Sequence, residues 1–116
     1  NLKEIIKLIE ISKKIKFLEK YKRFRELFGK LEQRTRGLMV IFGSYATGIA
    51  NEKSDLDVFV IGKIADVEDL EELYNTKINL IKSKKRRFDN KDHIVKEIIK
   101  NHIILKGVEE FMELIW

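Results

Sequence analysis

Five consecutive apolar residues, Leu38-Met39-Val40-Ile41-Phe42, run between Gly37 and Gly43. A short apolar run bounded by glycines reads as a buried strand. The chain then turns at once through Gly43-Ser44 and Gly48 before a second stretch, Asp55 to Ile61, which alternates early, becomes apolar and closes at Gly62. That is a second strand, with a short helix ended by Gly48 between the two. Lys77 to Lys82 reads as a third: Ile78 and Leu80 point one way, Asn79 and Ile81 the other. Ile103-Ile104-Leu105 is a fourth strand or an edge segment.

Helical patterns surround these strands. Residues 2–34 carry two apolar stripes at spacings of three and four: Leu8, Ile11, Ile15 and Leu18, then Phe17, Tyr21, Phe24, Phe28 and Leu31. The stripes are out of phase, which predicts a bend near residues 18–21. Gly29 lies inside the pattern, and Gly37 is expected to end it. Shorter helices are predicted over 66–74, 89–101 and 108–116. The expected fold is α/β (α+β): a small mixed sheet of three or four strands, helices packed on one side, and a long N-terminal helical segment. The segment covers 1–36 and the sheet-bearing domain 37–116. The chain opens at Asn1 inside a helical pattern, as a linker continuing from an upstream domain would.

Length and composition narrow the function. At 116 residues the chain is expected to form one core. It has no cysteine, which excludes disulfides, thiolate metal sites and a cysteine nucleophile. With 44% apolar and 37% charged residues it is neither disordered nor membrane-spanning. Its longest apolar run is far short of the roughly 20 residues of a spanning helix. The N-terminus has no continuous apolar signal region, so a cytoplasmic protein is expected. Rich Lys, Ile and Glu use without cysteine also fits a thermophile.

The net charge of +5 hides a partition. Residues 1–36 hold 12 basic and 5 acidic side chains, 37–81 hold 3 and 8, and 82–101 hold 8 and 3. A uniformly basic chain would point to nucleic acid. An acidic centre between basic arms points instead to carboxylates that hold a cation, with basic groups near to meet an anion.

The centre contains the informative stretch, Phe42-Gly43-Ser44 through Ser54-Asp55-Leu56-Asp57. At the start of a short helix, free backbone N–H groups and the Ser44 hydroxyl form an anion site, and Gly43 allows close approach of a phosphate. Residues two apart on a strand share a face, so Asp55 and Asp57 project side by side next to it. Paired carboxylates repel unless a cation lies between them. Mg²⁺ suits such oxygen ligands together with substrate phosphates. A phosphate cradle beside a metal clamp is the equipment for transfer at a nucleotide phosphorus.

These residues resemble the minimal nucleotidyltransferases of the DNA polymerase β superfamily, which carry a Gly-Ser, then a Gly, then Ser-Asp-x-Asp. The matching positions are Gly43, Ser44, Gly48, Ser54, Asp55 and Asp57. The resemblance is strong over 38–61 and looser through Ile78–Ile81, Phe88 and 103–107. It implies that Gly43, Ser44 and Ser54 bind the nucleoside triphosphate (NTP). Asp55 and Asp57 would hold Mg²⁺ and bring the α-phosphorus to an acceptor hydroxyl. The tail is similar to archaeal members in which such a domain follows a winged-helix DNA-binding domain. Two departures stand out. Thr47 occupies a place where many members have arginine. Asn79 occupies the third carboxylate position on the next strand, and an amide brings no charge and is a poor base.

The resemblance therefore implies nucleotidyl transfer to a hydroxyl on a protein or small molecule, with a small helical toxin-type protein as partner. The alternative is a catalytically silent nucleotide-binding module, antitoxin-like or the sensory part of a DNA-binding regulator, favoured by Asn79. Direct nucleic-acid binding is confined to a missing upstream domain or to the basic run 82–87. The long N-terminal helix is a possible homo-oligomer contact. His93 and His102 lack metal-ligand spacing and read as structural. Tyr45 is placed either to stack on a base or to pack internally.

Overall fold

A computed structural model describes residues 1–84 and 88–115. The helical N-terminus is α1 (Leu2–Lys20), a 3₁₀ turn over Lys22–Phe24 and α2 (Arg25–Arg34). The break falls after Lys20, at Tyr21, where the two apolar stripes change phase. β1 (Thr35–Phe42), α3 (Gly43–Thr47) and β2 (Leu56–Ile64) follow, then α4 (Glu68–Tyr74) and β3 (Ile78–Ser83). The chain closes with α5 (His93–Lys100), β4 (Ile103–Lys106) and α6 (Val108–Ile115).

The sheet is mixed, in the order β3-β2-β1-β4. β2 and β4 flank β1 antiparallel, and β3 runs parallel to β2. The parallel pair is joined by a crossover through α4, as parallel neighbours require.

Helices cover both faces of this sheet, not the single face expected. Met39, Ile41, Val58 and Val60 face Phe17, Leu27, Phe28 and Leu31 of α1 and α2. Leu38, Val40, Phe42 and Phe59 face Ile98 of α5 and Phe111 of α6. The reason is in the five-residue apolar run itself: side chains alternate across a strand, so an unbroken run is apolar on both sides and both need cover.

Gly37 does not end the helix. The helix stops at Arg34, where the Thr35 hydroxyl donates to the Leu31 carbonyl at 2.8 Å. Gly37 instead lies in β1 directly opposite Gly62, each at positive φ, 110° and 134°. A Cβ on either would meet backbone of the facing strand. β2 therefore continues through Gly62 to Ile64. The helix expected over 89–101 starts later, at His93, because Asp92 caps it by accepting from the Ile94 and Val95 amides.

The early stripe of α1 lies on its outer side, with Leu8, Ile11 and Ile15 exposed. The inner side carries a buried acid. Glu10, 8% exposed, meets His102 Nε2 at 2.6 Å and Lys13 Nζ at 2.6 Å. His102 Nδ1 lies 2.8 Å from the Ile98 carbonyl, and its ring packs at a tilt of 43° against Phe111. This cluster ties α1 to the chain beside β4. Among the described residues no helix is long and apolar enough to cross a membrane.

Candidate active site

At the end of β1 the chain turns sharply. Gly43 adopts φ +67°, and a Cβ there would overlap the Asp57 Oδ2. The glycine thus lets the Asp57 carboxylate lie directly against the β1–α3 turn. This is a reason for glycine at 43 that the phosphate argument alone did not supply. Ser44 follows as the second residue of α3 and is half-buried. The first amides of any helix have no intrahelical acceptor, so this turn presents donors beside the carboxylate.

α3 is short because Gly48 caps it in the left-handed region, with the Ile49 amide returning to the Ser44 carbonyl at 3.1 Å. Lys20 Nζ donates to the Gly48 carbonyl at 2.5 Å and so fastens the end of α1 to the end of α3. The chain then re-enters the sheet through a compact turn. Ser54 Oγ accepts from the Asn51 amide at 2.9 Å, and the Ser54 amide donates to the Asn51 carbonyl at 3.0 Å. Ser54 builds the turn that delivers Asp55.

Asp55 and Asp57 lie half-buried at the start of β2, while Leu56 between them is buried in the α1/α2 core. Asp57 is flanked in register by Phe42 on β1 and Asn79 on β3. The Asn79 amide nitrogen sits 3.0 Å from Asp57 Oδ1 and 3.4 Å from Asp55 Oδ2. The position identified in the sequence as the third of the constellation is therefore brought into contact with both aspartates. The two carboxylates offer oxygen donors, which suit a hard divalent ion. Among the described residues no group of three or more His, Cys, Asp or Glu could hold a metal.

Other candidates lie elsewhere. Tyr45 is buried, with its ring 4.9 Å from Tyr21 and 6.3 Å from Phe24, so it packs internally and offers no face to a base. Glu71 Oε2 accepts from the Ile78 amide at 2.8 Å, and Asp89 Oδ1 from the Lys91 amide at 2.9 Å; each carboxylate already has a backbone partner. His93 is exposed at the head of α5 and His102 is held by Glu10, far apart in role. Of the basic run 82–87, Lys82 and Lys84 are exposed, and 85–87 lie outside the described residues. Sequence reasoning missed the Glu10–His102 pair, whose members stand 92 residues apart. The missed Lys20–Gly48 tie has no local signal either, since a lysine's carbonyl partner is set by tertiary packing.

The Nucleotidyltransferase domain family matches residues 21–111. That spans well over half of the chain, and the chain belongs to this family. Solved structures share its fold, two of them at a TM-score above 0.5. One is a toxin–antitoxin with AMP-PNP, at 19% identity and a TM-score of 0.54, covering 89% of this chain and 77% of that one. The other is a tri-AMPylated Shewanella oneidensis HEPN toxin in complex with MNT antitoxin, at 15% identity and a TM-score of 0.52, covering 82% and 78%. No curated protein matches by sequence.

Proposed function

We propose that the protein binds a metal–NTP complex across Gly43, Ser44, Asp55 and Asp57 and transfers the nucleotidyl group to a hydroxyl on a protein or small molecule. The observation that carries this reading is the half-buried Asp57 carboxylate lying against the Gly43 turn, with half-buried Asp55 joined to it through Asn79. In the transfer the acceptor hydroxyl loses its proton to solvent as its oxygen bonds the α-phosphorus, the bond to the bridging α–β oxygen breaks, and pyrophosphate leaves. The divalent ion, Mg²⁺ by its taste for oxygen ligands, would supply positive charge to the triphosphate when bound. Asp55 and Asp57 would hold it, and Asp57 is kept in position by the turn. The Gly43-Ser44 turn would bind the triphosphate through backbone amides and the Ser44 hydroxyl. Ser54, engaged with Asn51, would act by shaping the turn that presents Asp55.

The acceptor fits a partner protein, in line with the AMPylated toxin in the similar complex. Calorimetry should show Mg²⁺-dependent NTP binding that the double change Asp55→Ala with Asp57→Ala abolishes. Undiminished binding in that variant sinks the reading.

A second reading is favoured by one contact. Asn79 donates to both aspartates and provides no carboxylate to activate an acceptor. On that ground the protein is a nucleotide-binding regulator without transfer activity. Transfer from labelled NTP to candidate acceptors separates the two. Activity in the wild type excludes the silent module; activity gained only in Asn79→Asp supports it.

A further inference from the structure

We infer that Asn79 is a built-in hydrogen-bond clamp on the aspartate pair, a neutral donor standing in for a cation. Its amide holds Asp55 and Asp57 together where a cation would otherwise sit, so the site takes one divalent ion, and takes it together with nucleotide. This rests on the metal–NTP site proposed above and specifies how that site loads.

The parallel register sets Asn79 directly beside Asp57, within reach of both carboxylates. The group that faces them must be the NH₂, because the amide oxygen would be repelled by two acceptors. One amide then makes two charge-assisted hydrogen bonds, at 3.0 and 3.4 Å. Such bonds are stronger than neutral ones. Asp57 is held from its other side as well, with Oδ2 against Gly43, so the carboxylate is clamped between the turn and the amide.

An ion entering between the carboxylates has to displace the amide or turn it to present its oxygen. The protein contributes two negative charges there, which one divalent ion balances. Among the described residues no group of three or more His, Cys, Asp or Glu offers a second ion a carboxylate set, and Glu71 and Asp89 each already accept from a backbone amide. Nucleotide changes the balance by bringing phosphate oxygens as further ligands. Ion and nucleotide are therefore expected to bind with mutual enhancement.

The test counts Mn²⁺ by electron paramagnetic resonance on the whole chain. It is run alone and with each of the four α,β-methylene NTP analogues, which cannot release pyrophosphate. Without nucleotide, the wild type should bind Mn²⁺ about tenfold more weakly than Asn79→Asp, the effect of about 1.4 kcal/mol. It should also bind several-fold more weakly than Asn79→Ala, which removes the competing donor without adding charge. With the analogue that binds, the wild type should hold one Mn²⁺ per chain and Asn79→Asp two. Circular dichroism checks that each variant folds, and Asn79→Ala carries the test if Asn79→Asp does not. Two ions in the wild type, or unchanged affinity in Asn79→Ala, overturn the inference. Failure of all three proteins to bind Mn²⁺ with any analogue overturns the metal–NTP reading itself, a separate and distinguishable result.

Discussion

The chain places acidic side chains away from bulk water in two ways. Glu10 on α1 is buried and matched by His102 and Lys13, each at 2.6 Å. Burial pushes its carboxyl up, but the bonds from His102 and Lys13 outweigh that and hold it below its ordinary value of 4.5. Asp55 and Asp57 have a neutral amide as the polar side chain between them. An acid that serves structure is neutralised by its own protein. An acid pair set side by side with only an amide between them keeps negative charge in reserve for something that arrives. On the proposed function, this contrast separates a structural seam from a binding site.

The largest expected effect tests that division directly. Asp55→Ala with Asp57→Ala should weaken Mg²⁺-dependent NTP binding about a hundredfold or more, roughly 3 kcal/mol. Its unfolding free energy should stay within about 1 kcal/mol of wild type, because the change relieves like-charge repulsion. Calorimetry and urea unfolding measure the two quantities. A loss of stability as large as the loss of binding would erase the distinction drawn here.

Glu10→Ala is the mirror experiment. Removing Glu10 leaves the His102 and Lys13 donors without their buried acceptor, at a cost of about 2–4 kcal/mol. NTP binding should be unchanged once the protein is folded. The pH dependence follows from the direction of the shift. Glu10 is depressed in the folded state, so its contribution is present above pH 4.5 and is lost as pH falls through the lower folded value. Glu10→Gln should flatten that acid limb. An acid limb identical to wild type would place the acid sensitivity elsewhere.

Gly43→Ala joins the two quantities. The added methyl would meet the Asp57 carboxylate at a φ of +67°, which side chains rarely adopt. Strain of this kind costs about 1–3 kcal/mol. Asp57 should also be pushed out of register with Asn79, with about a tenfold loss of nucleotide binding, roughly 1.4 kcal/mol. Stability lost with binding intact would mean that Asp57 need not touch the turn.

What was legible in the sequence divides along similar lines. The Gly43-Ser44 turn, the Asp55/Asp57 pair and the phase change near Tyr21 were readable because each is local: a glycine's freedom, a period of two, a stripe that slips. Asn79 was placed at the right strand position, but its contact with both aspartates depends on the β2–β3 register, which no local pattern encodes. The second helical layer went unread even though Leu38–Phe42 is apolar on both faces. A glycine after a helical stripe and a glycine facing Gly62 across a sheet look the same in one dimension, so the pattern alone points Gly37 to a helix end. Glu10 and His102 carry no signal in sequence, since burial brings them together after the fold exists.

The smallest effect is expected where an acid is paired but exposed. Arg34 holds Asp69 through two bonds, at 2.6 and 2.7 Å, linking α2 to α4. The Arg34 guanidinium lowers the Asp69 carboxyl from 3.8 to about 2. Geometry this good would suggest a strong pair, but solvent screens it, and exposed pairs contribute little. The sign again follows from the depressed value: any stabilisation is present above pH 3.8 and is lost as pH falls toward about 2. Asp69→Asn should therefore move the thermal midpoint only slightly at neutral pH, and added salt should shrink the difference further. Glu10→Gln, by contrast, should resist salt. If salt weakened both alike, the buried seam would be as open to solvent as the surface pair, and the contrast between Glu10 and the aspartates would lose its physical basis.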